Sequence, residues 1–345
     1  MATASWEPEA AGGRTVRALE LTRPAQASTS PLRPVLPPDP EPRPGELLID
    51  VAACAVCRTD LQIVEGDLRA RRLPIVPGHQ AVGRVVGIGP GVDGWRAGDR
   101  AGVAWLGGAC GRCEYCSSGR ENLCPDAIFT GWDRDGGYAT RMTARADFAL
   151  RMPDGFDDLA AAPLLCGGVI GYRALRVSGI EPGGRLGLFG FGASAFLALQ
   201  VARHWGCEVH VRTRSERERD RALDLGAASA AGYGEPTPPL HAAVTFAPVG
   251  EVVIRALENV APGGRVAINA IHLDRIPEFD YDLLWRERSI MSVANFTRRD
   301  ARELLELAAA IPIRTEIETF PLDAANEALA RLADGSLAAT AVLLP

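Results

Sequence analysis

Four cysteines crowd the stretch CGRCEYCSSGRENLC. Cys110, Cys113, Cys116 and Cys124 fall within fifteen residues of a 345-residue chain that has eight cysteines in all. Gly111, Ser117, Ser118 and Gly119 let the intervening backbone fold back on itself. Four thiolates on one short, turn-rich loop can enclose Zn²⁺ in a closed tetrahedron, which holds structure and leaves no position for a reactant. Such a centre is doubly negative, and the neighbouring Arg112 and Arg120 would offset that charge. The plainer reading, free or redox-active thiols, suits this compact spacing less well. The lobe is a scaffold, so reactive chemistry has to come from elsewhere.

Other stretches carry candidates. Cys57 in CAVCRTD follows a strand-like run, His79 in VPGHQAVG follows Pro-Gly, and Cys166 in APLLCGGVIGYRAL lies in an apolar run. Taken singly, each reads as structural, since a lone buried cysteine behaves as a small hydrophobe. In RLGLFGFGASAF, Gly190, Gly192 and Ala195 form G-x-G-x-x-A between an apolar strand and a helix. That pattern allows a tight turn, close approach of a pyrophosphate to backbone N–H groups, and close helix–strand packing. An NAD-binding sheet presents Asp or Glu about 20 residues further on. Here Arg212 occupies that place, and no acid stands between Val209 and Ser215. Arg212 and Arg214 suit a 2′-phosphate, so NADP(H) is expected over NAD(H); the duller alternative makes Arg212, Arg214 and Arg217 a solvated face.

Elements must position these residues, and composition bounds them. At this length two domains are expected, and a hydrophobic content of 47% supplies their cores. Lys and Arg number 37 against 43 Asp and Glu, a net charge of −6 without long runs of one sign, which argues against nucleic acid or an anionic membrane as partner. No basic segment with an apolar stretch opens the sequence, and no apolar window is long enough to span a bilayer, so a cytoplasmic protein is expected. The first ten or so residues read as a disordered lead-in. TVRALEL and GELLIDVAACAV read as strands, and the proline-rich connector between them as irregular surface chain. AVGRVVGIGPGV and DRAGVAW continue a mainly β first part. From about Ala160, strand and helix patterns alternate (RLGLFGF, ASAFLALQVARHWG, EVHVRT, SERERDRALDLGA, AAVTFAP, EVVIRALENV, GRVAINAI, SIMSVAN), predicting a parallel doubly wound sheet.

The order CRTD, GH, four-cysteine lobe, LLCGG with GYRAL, then GFGASA resembles the zinc-dependent alcohol dehydrogenases of the medium-chain dehydrogenase/reductase superfamily, from about Thr15 to the C-terminus. The resemblance implies an α/β fold: a GroES-like (chaperonin-10-like) β domain over residues 1–155, with 300–345 returning to it, and a Rossmann doubly wound domain over 156–299. It implies two zinc ions per chain. One is structural in the lobe; the other is catalytic on Cys57, His79 and Cys166, with a fourth position open to substrate oxygen. Asp60 would hydrogen-bond the far nitrogen of His79, Thr59 would contact the alcohol oxygen and take its proton, and Arg58 would face the cofactor pyrophosphate. Trp105 and Trp132 resemble pocket-lining positions, with core packing as the alternative; bulky indoles there would favour small primary alcohols or aldehydes. The implied reaction is reversible hydride transfer between such a substrate and the nicotinamide, in a cleft between the domains.

Two positions depart from the family pattern. Gln62 stands where a proton-relaying histidine is common and cannot titrate. Gln80 stands where a Glu usually follows the metal-binding histidine, which removes a negative charge. Rival readings are an NADPH-dependent reductase of an activated C=C or imine on the same fold, and a non-catalytic NADP- or zinc-binding protein. A homo-oligomer, dimer or tetramer, is expected, with SIMSVAN as an edge strand able to pair across a two-fold. Cys54 and Cys207 carry no role, Cys54 being expected to pack in the core.

Overall fold

A computed structural model describes residues 15–270 and 273–345. The expected lead-in over the first ten residues lies outside them. The chain divides into two compact units, one of residues 1–166, 301–309 and 314–345, the other of 167–300 and 310–313.

In the first unit, β1 (Ala18–Leu21) pairs antiparallel with β2 (Leu32–Val35), so a short strand forms inside the proline-rich connector expected to be irregular. Pro34 is tolerated because this two-stranded sheet has only edges, where a missing N–H need not break a ladder. From Leu36 to Arg43 the chain has no regular structure, as its prolines require. Next come β3 (Glu46–Ala55), α1 (Arg58–Glu65), β4 (Ala81–Ile88), β5 (Arg100–Val103), β6 (Leu106–Gly108), α2 (Glu114–Ser117), β7 (Ile128–Phe129), β8 (Arg141–Arg145), β9 (Leu150–Arg151) and α3 (Asp158–Ala161). β3 is central: Leu47, Ile49, Ala53, Cys54 and Ala55 are fully buried, which fits its nearly continuous apolar run.

The second unit begins with α4 (Gly167–Ser178). Then β10 (Arg185–Phe189), α5 (Ala193–His204), β11 (Glu208–Arg212), α6 (Glu216–Asp224), β12 (Ser229–Ala231), β13 (Leu240–Thr245), α7 (Gly250–Asn259), β14 (Val260–Ile268) and β15 (Ser289–Ser292) follow. All six strands are parallel, in the order β12-β11-β10-β13-β14-β15. This is the doubly wound 3-2-1-4-5-6 order, whose switch point falls between β10 and β13, where such sheets bind dinucleotides. Phe189, Leu240, Val253, Leu257 and Val266 form a core between α7 and the sheet.

The chain returns through α8 (Arg298–Ala310), β16 (Ile317–Pro321), α9 (Ala325–Ala333) and β17 (Thr340–Leu344). β17 pairs with β3, and β16 with β17, completing the order β16-β17-β3-β4-β5-β9, with β8 also on β3. The division between units falls at Cys166/Gly167, later than the expected 155/156, because α3 and the turn after it pack on β3, β4 and β5.

Candidate active site

Three side chains far apart in sequence converge in the first unit. The ligand atoms of Cys57, His79 and Cys166 all lie within 4.8 Å of one another. Cys57 Sγ is 3.3 Å from His79 Nε2 and 4.0 Å from Cys166 Sγ. Cys57 is the N-cap of α1, where its sulfur accepts from the Thr59 N–H at 3.4 Å. Arg58, Thr59 and Asp60 are therefore the first turn of a helix. Cys166 ends the turn that follows α3.

Asp60 ties the arrangement together. It is fully buried, and its Oδ2 accepts from the Cys57 N–H at 2.9 Å, closing a capping box. Its Oδ1 lies 2.9 Å from His79 Nδ1 and accepts from the Gly78 N–H at 3.3 Å. An ionised carboxylate can only accept, so Nδ1 carries a proton and Nε2 is turned toward the sulfurs. Burial alone pulls the imidazole down, but the Asp60 carboxylate and the Cys57 sulfur together hold it well above its ordinary value. Cys57 is pushed up by hydrogen bonding with Cys166 first, then by burial. Two crowded sulfurs beside an oriented imidazole make a donor set that a divalent cation relieves, with loss of protons on binding. Two sulfurs and one nitrogen suit Zn²⁺.

Two residues that sequence reasoning passed over support this geometry. Gly78 has φ +96°, and a Cβ there would stand 2.4 Å from Tyr138 Cδ1. Glycine is thus required immediately before His79. Tyr138 is fully buried, and burial first, then the Asp60 charge, holds its phenol well above its ordinary range. The signal was the run DGGYA, whose tyrosine follows two glycines.

Trp105 is buried, and its ring meets that of His79 edge-on, with centroids 5.0 Å apart. Trp132 stacks on Trp105 at 5.8 Å with planes 19° apart, and Phe129 stacks on Trp105 at 5.0 Å. The two indoles thus form one layered aromatic wall beside His79. Gln80 is buried, and its Nε2 donates to the Ala55 carbonyl at 3.2 Å. Gln62 is half-buried on α1, and Arg58 is exposed. Cys54 is fully buried in β3, as expected of a core residue.

The lobe also assembles. The sulfurs of Cys110, Cys113, Cys116 and Cys124 lie within 4.8 Å of one another. Gly111 (φ +73°) and Gly119 (φ +69°) supply its turns. Cys110 Sγ accepts from the Cys113 N–H at 3.4 Å, and Cys124 Sγ from the Cys110 N–H at 3.5 Å. The backbone N–H groups of Arg112 and Cys113 lower Cys110 to about 6, whereas burial raises Cys116 to about 12. Arg120 lies 5.3 Å over the Tyr115 ring and donates to Ser118 Oγ at 3.0 Å.

In the second unit, Gly190 (φ +92°) makes the turn after β10, where a Cβ would meet the Ala247 nitrogen at 2.9 Å. Gly192 caps α5, and nothing lies within 4 Å of where its Cβ would be. That open ground at a helix N-terminus fits a pyrophosphate. Ala195 is fully buried. Arg212 differs from expectation. It is buried at the end of β11, and its guanidinium donates to the carbonyls of Glu235, Val211 and Pro236 and to Ser229 Oγ. It pins the 235–236 loop and is not presented to a ligand. Arg214, in the following loop, is exposed. Thr213 is buried, and its hydroxyl donates to Glu218 Oε2 at 2.5 Å, so an acid does reach this strand end, from α6. The capping pattern Ser215-x-x-Glu218 was the signal for it.

Residues 43–154 match the alcohol dehydrogenase GroES-like domain. The chain is 48% identical to the probable alcohol dehydrogenase AdhA of Mycobacterium tuberculosis over 96% of its own length and 97% of the relative's. It is 36% identical to an alcohol dehydrogenase of Geobacillus stearothermophilus, over 88% and 93% of the two chains. Among solved structures it resembles acetophenone reductase from Geotrichum candidum in complex with NAD, with a TM-score of 0.86, 25% identity and coverage of 97% and 99%.

Proposed function

The chain is a member of the zinc-type medium-chain alcohol dehydrogenases, and on that premise we propose that it transfers a hydride between NAD(P)(H) and a small primary alcohol or its aldehyde. One observation carries this reading: the convergence of Cys57 Sγ, His79 Nε2 and Cys166 Sγ within 4.8 Å. These residues would hold one zinc ion, and the four lobe cysteines a second, structural one. When bound, the first ion supplies a Lewis acid for the substrate oxygen and the nicotinamide supplies or accepts the hydride.

The chain's own residues do the rest. Asp60 orients His79 and fixes its tautomer. Thr59, buried in the first turn of α1, would contact the substrate oxygen and relay its proton, accepting it while passing its own hydroxyl proton to solvent, and the reverse on reduction. Gln62 cannot pass that proton onward by titrating, so proton exchange with solvent is slower than a histidine at this position would permit. Gln80 is neutral and held by the Ala55 carbonyl, leaving Asp60 as the carboxylate that balances the site. Trp105 limits the room beside His79, which favours small substrates.

Gly190, Gly192 and Ala195 would hold the dinucleotide, its pyrophosphate at the N-terminus of α5. A preference for NADP(H) rests on the exposed Arg214 and not on Arg212. The sequence contains no lysine, so any 2′-phosphate would be held by guanidinium. Among the described residues no helix is long and apolar enough to cross a membrane. Met291 stands exposed on the edge strand β15, which supports a homo-oligomer.

The test is a steady-state panel of alcohols and aldehydes with both cofactors, before and after chelation. Turnover lost on chelation and restored by zinc is expected. A fully metal-loaded protein inactive on every alcohol and aldehyde refutes the proposal.

A further inference from the structure

The aromatic wall beside His79 is clasped from outside. The Arg71 guanidinium carbon lies 4.0 Å from the centroid of Trp132 and 5.7 Å from that of Phe129. Arg71 Nη1 sits 3.2 and 3.3 Å from the two oxygens of Asp133. Asp133 is itself fixed, because its Oδ2 accepts from the Phe129 N–H at 2.8 Å. Trp132 Nε1 donates to the Arg69 carbonyl at 3.0 Å, so each loop holds the other. Alongside, Arg72 pairs with Asp135 at 2.8 Å, and Asp135 accepts from the Val76 N–H at 3.0 Å. The order outward from the candidate metal site is His79, Trp105, Trp132, Arg71.

We infer that Arg71 is a specificity-determining positioning residue, which locks Trp132 onto Trp105 and so sets the size of the substrate space beside His79. Arg71 is half exposed, and a surface ion pair of this kind contributes little to folding. Its effect is local. Trp132 is only partly buried, and the groups restraining its outer face are the guanidinium above the ring and the carbonyl at its indole nitrogen. A cation over an indole restricts the ring to one face, and Asp133 keeps that cation from leaving. Without Arg71 the outer indole can swing away, Trp105 is left backed by Phe129 alone, and bulkier alcohols gain room. Lysine at position 71 would keep a cation but lose the planar stacking of a guanidinium on the ring.

The inference rests on the alcohol dehydrogenase reading. Its test compares the unaltered enzyme with Arg71→Ala and Arg71→Lys, measuring kcat and KM for 1-propanol, 3-methyl-1-butanol and benzyl alcohol, together with metal content and Tm. Arg71→Ala should shift the kcat/KM ratio about fivefold toward the two bulkier alcohols. The change should lie in KM, with metal content and Tm held, and Arg71→Lys should recover part of the discrimination. An unchanged ratio overturns the inference, as does a uniform loss of activity that follows loss of metal. If the metal-loaded, unaltered enzyme turns over none of these alcohols and no other alcohol or aldehyde, the proposed function fails. The clasp is then decided by acrylamide quenching of tryptophan fluorescence, which Arg71→Ala must increase.

Discussion

Replacing Asp60 with Asn keeps the shape of a fully buried side chain and removes one charge and one acceptor face. Three donors converge on the carboxylate: the Cys57 N–H at 2.9 Å, His79 Nδ1 at 2.9 Å and the Gly78 N–H at 3.3 Å. An amide can serve donors with its oxygen only. Either Cys57 N–H or His79 Nδ1–H must then face an NH₂ group, or His79 must take the other tautomer and turn a protonated Nε2 toward the sulfurs. A hydrogen bond to a charged group contributes about 1.5–3 kcal/mol, which corresponds to roughly a 10- to 150-fold weaker site. Losses of about 10- to 100-fold on removing such an orienting partner agree with that range. The assay is competition for zinc with a chromogenic chelator, which reads the weaker site apart from the lobe. Native affinity at both sites in Asp60→Asn would refute the argument that this carboxylate organises the trio.

Four further outcomes are expected. Gly78→Ala forces a Cβ against Tyr138 at a positive φ, and a loss of several kcal/mol with loss of the weaker-bound metal should appear in thermal melts and metal analysis. Cys113→Ser should release the lobe metal and lower Tm while the trio, built from other residues, still binds zinc; loss of both metals together would contradict independent sites. Arg214→Ala should reduce the NADP-over-NAD ratio of kcat/KM about tenfold, whereas Arg212→Ala should lower Tm without that selectivity change, since its guanidinium bonds the 235–236 loop. His210 is held below its ordinary value by burial first, with Glu208 opposing. The unfolded chain then binds more protons, so stability falls as pH drops below about 6.5, and His210→Gln should flatten the acid side of a Tm-against-pH curve.

The lobe was legible because its ligands are local: gaps of two, two and seven residues leave little for the tertiary fold to decide. The trio was not legible from spacing, since Cys57, His79 and Cys166 meet only through the capping of α1, the turn at Gly78 and the turn after α3. Family resemblance supplied the set, and the geometry brings those atoms together. Strand and helix alternation gave the second unit because parallel strands and their crossover helices have distinct periods. The role of Arg212 was misjudged for a directional reason. Sequence separation fixes where on β11 a residue falls, but the 235–236 loop, remote in sequence, decides what its side chain meets. Glu218 escaped notice for the same reason, reaching Thr213 from a helix and not from the strand itself. Arg71 carried no motif at all, and its part in the wall emerges only when two loops are seen face to face.

Anomalous diffraction at the zinc edge from crystals of the metal-loaded protein tests the central claim most directly. One peak is expected bonded to Cys57 Sγ, His79 Nε2 and Cys166 Sγ, with sulfur distances of about 2.3 Å, and another inside the lobe. A fully active crystal with density only in the lobe, or a metal that leaves any of the three side chains uncoordinated, would contradict it.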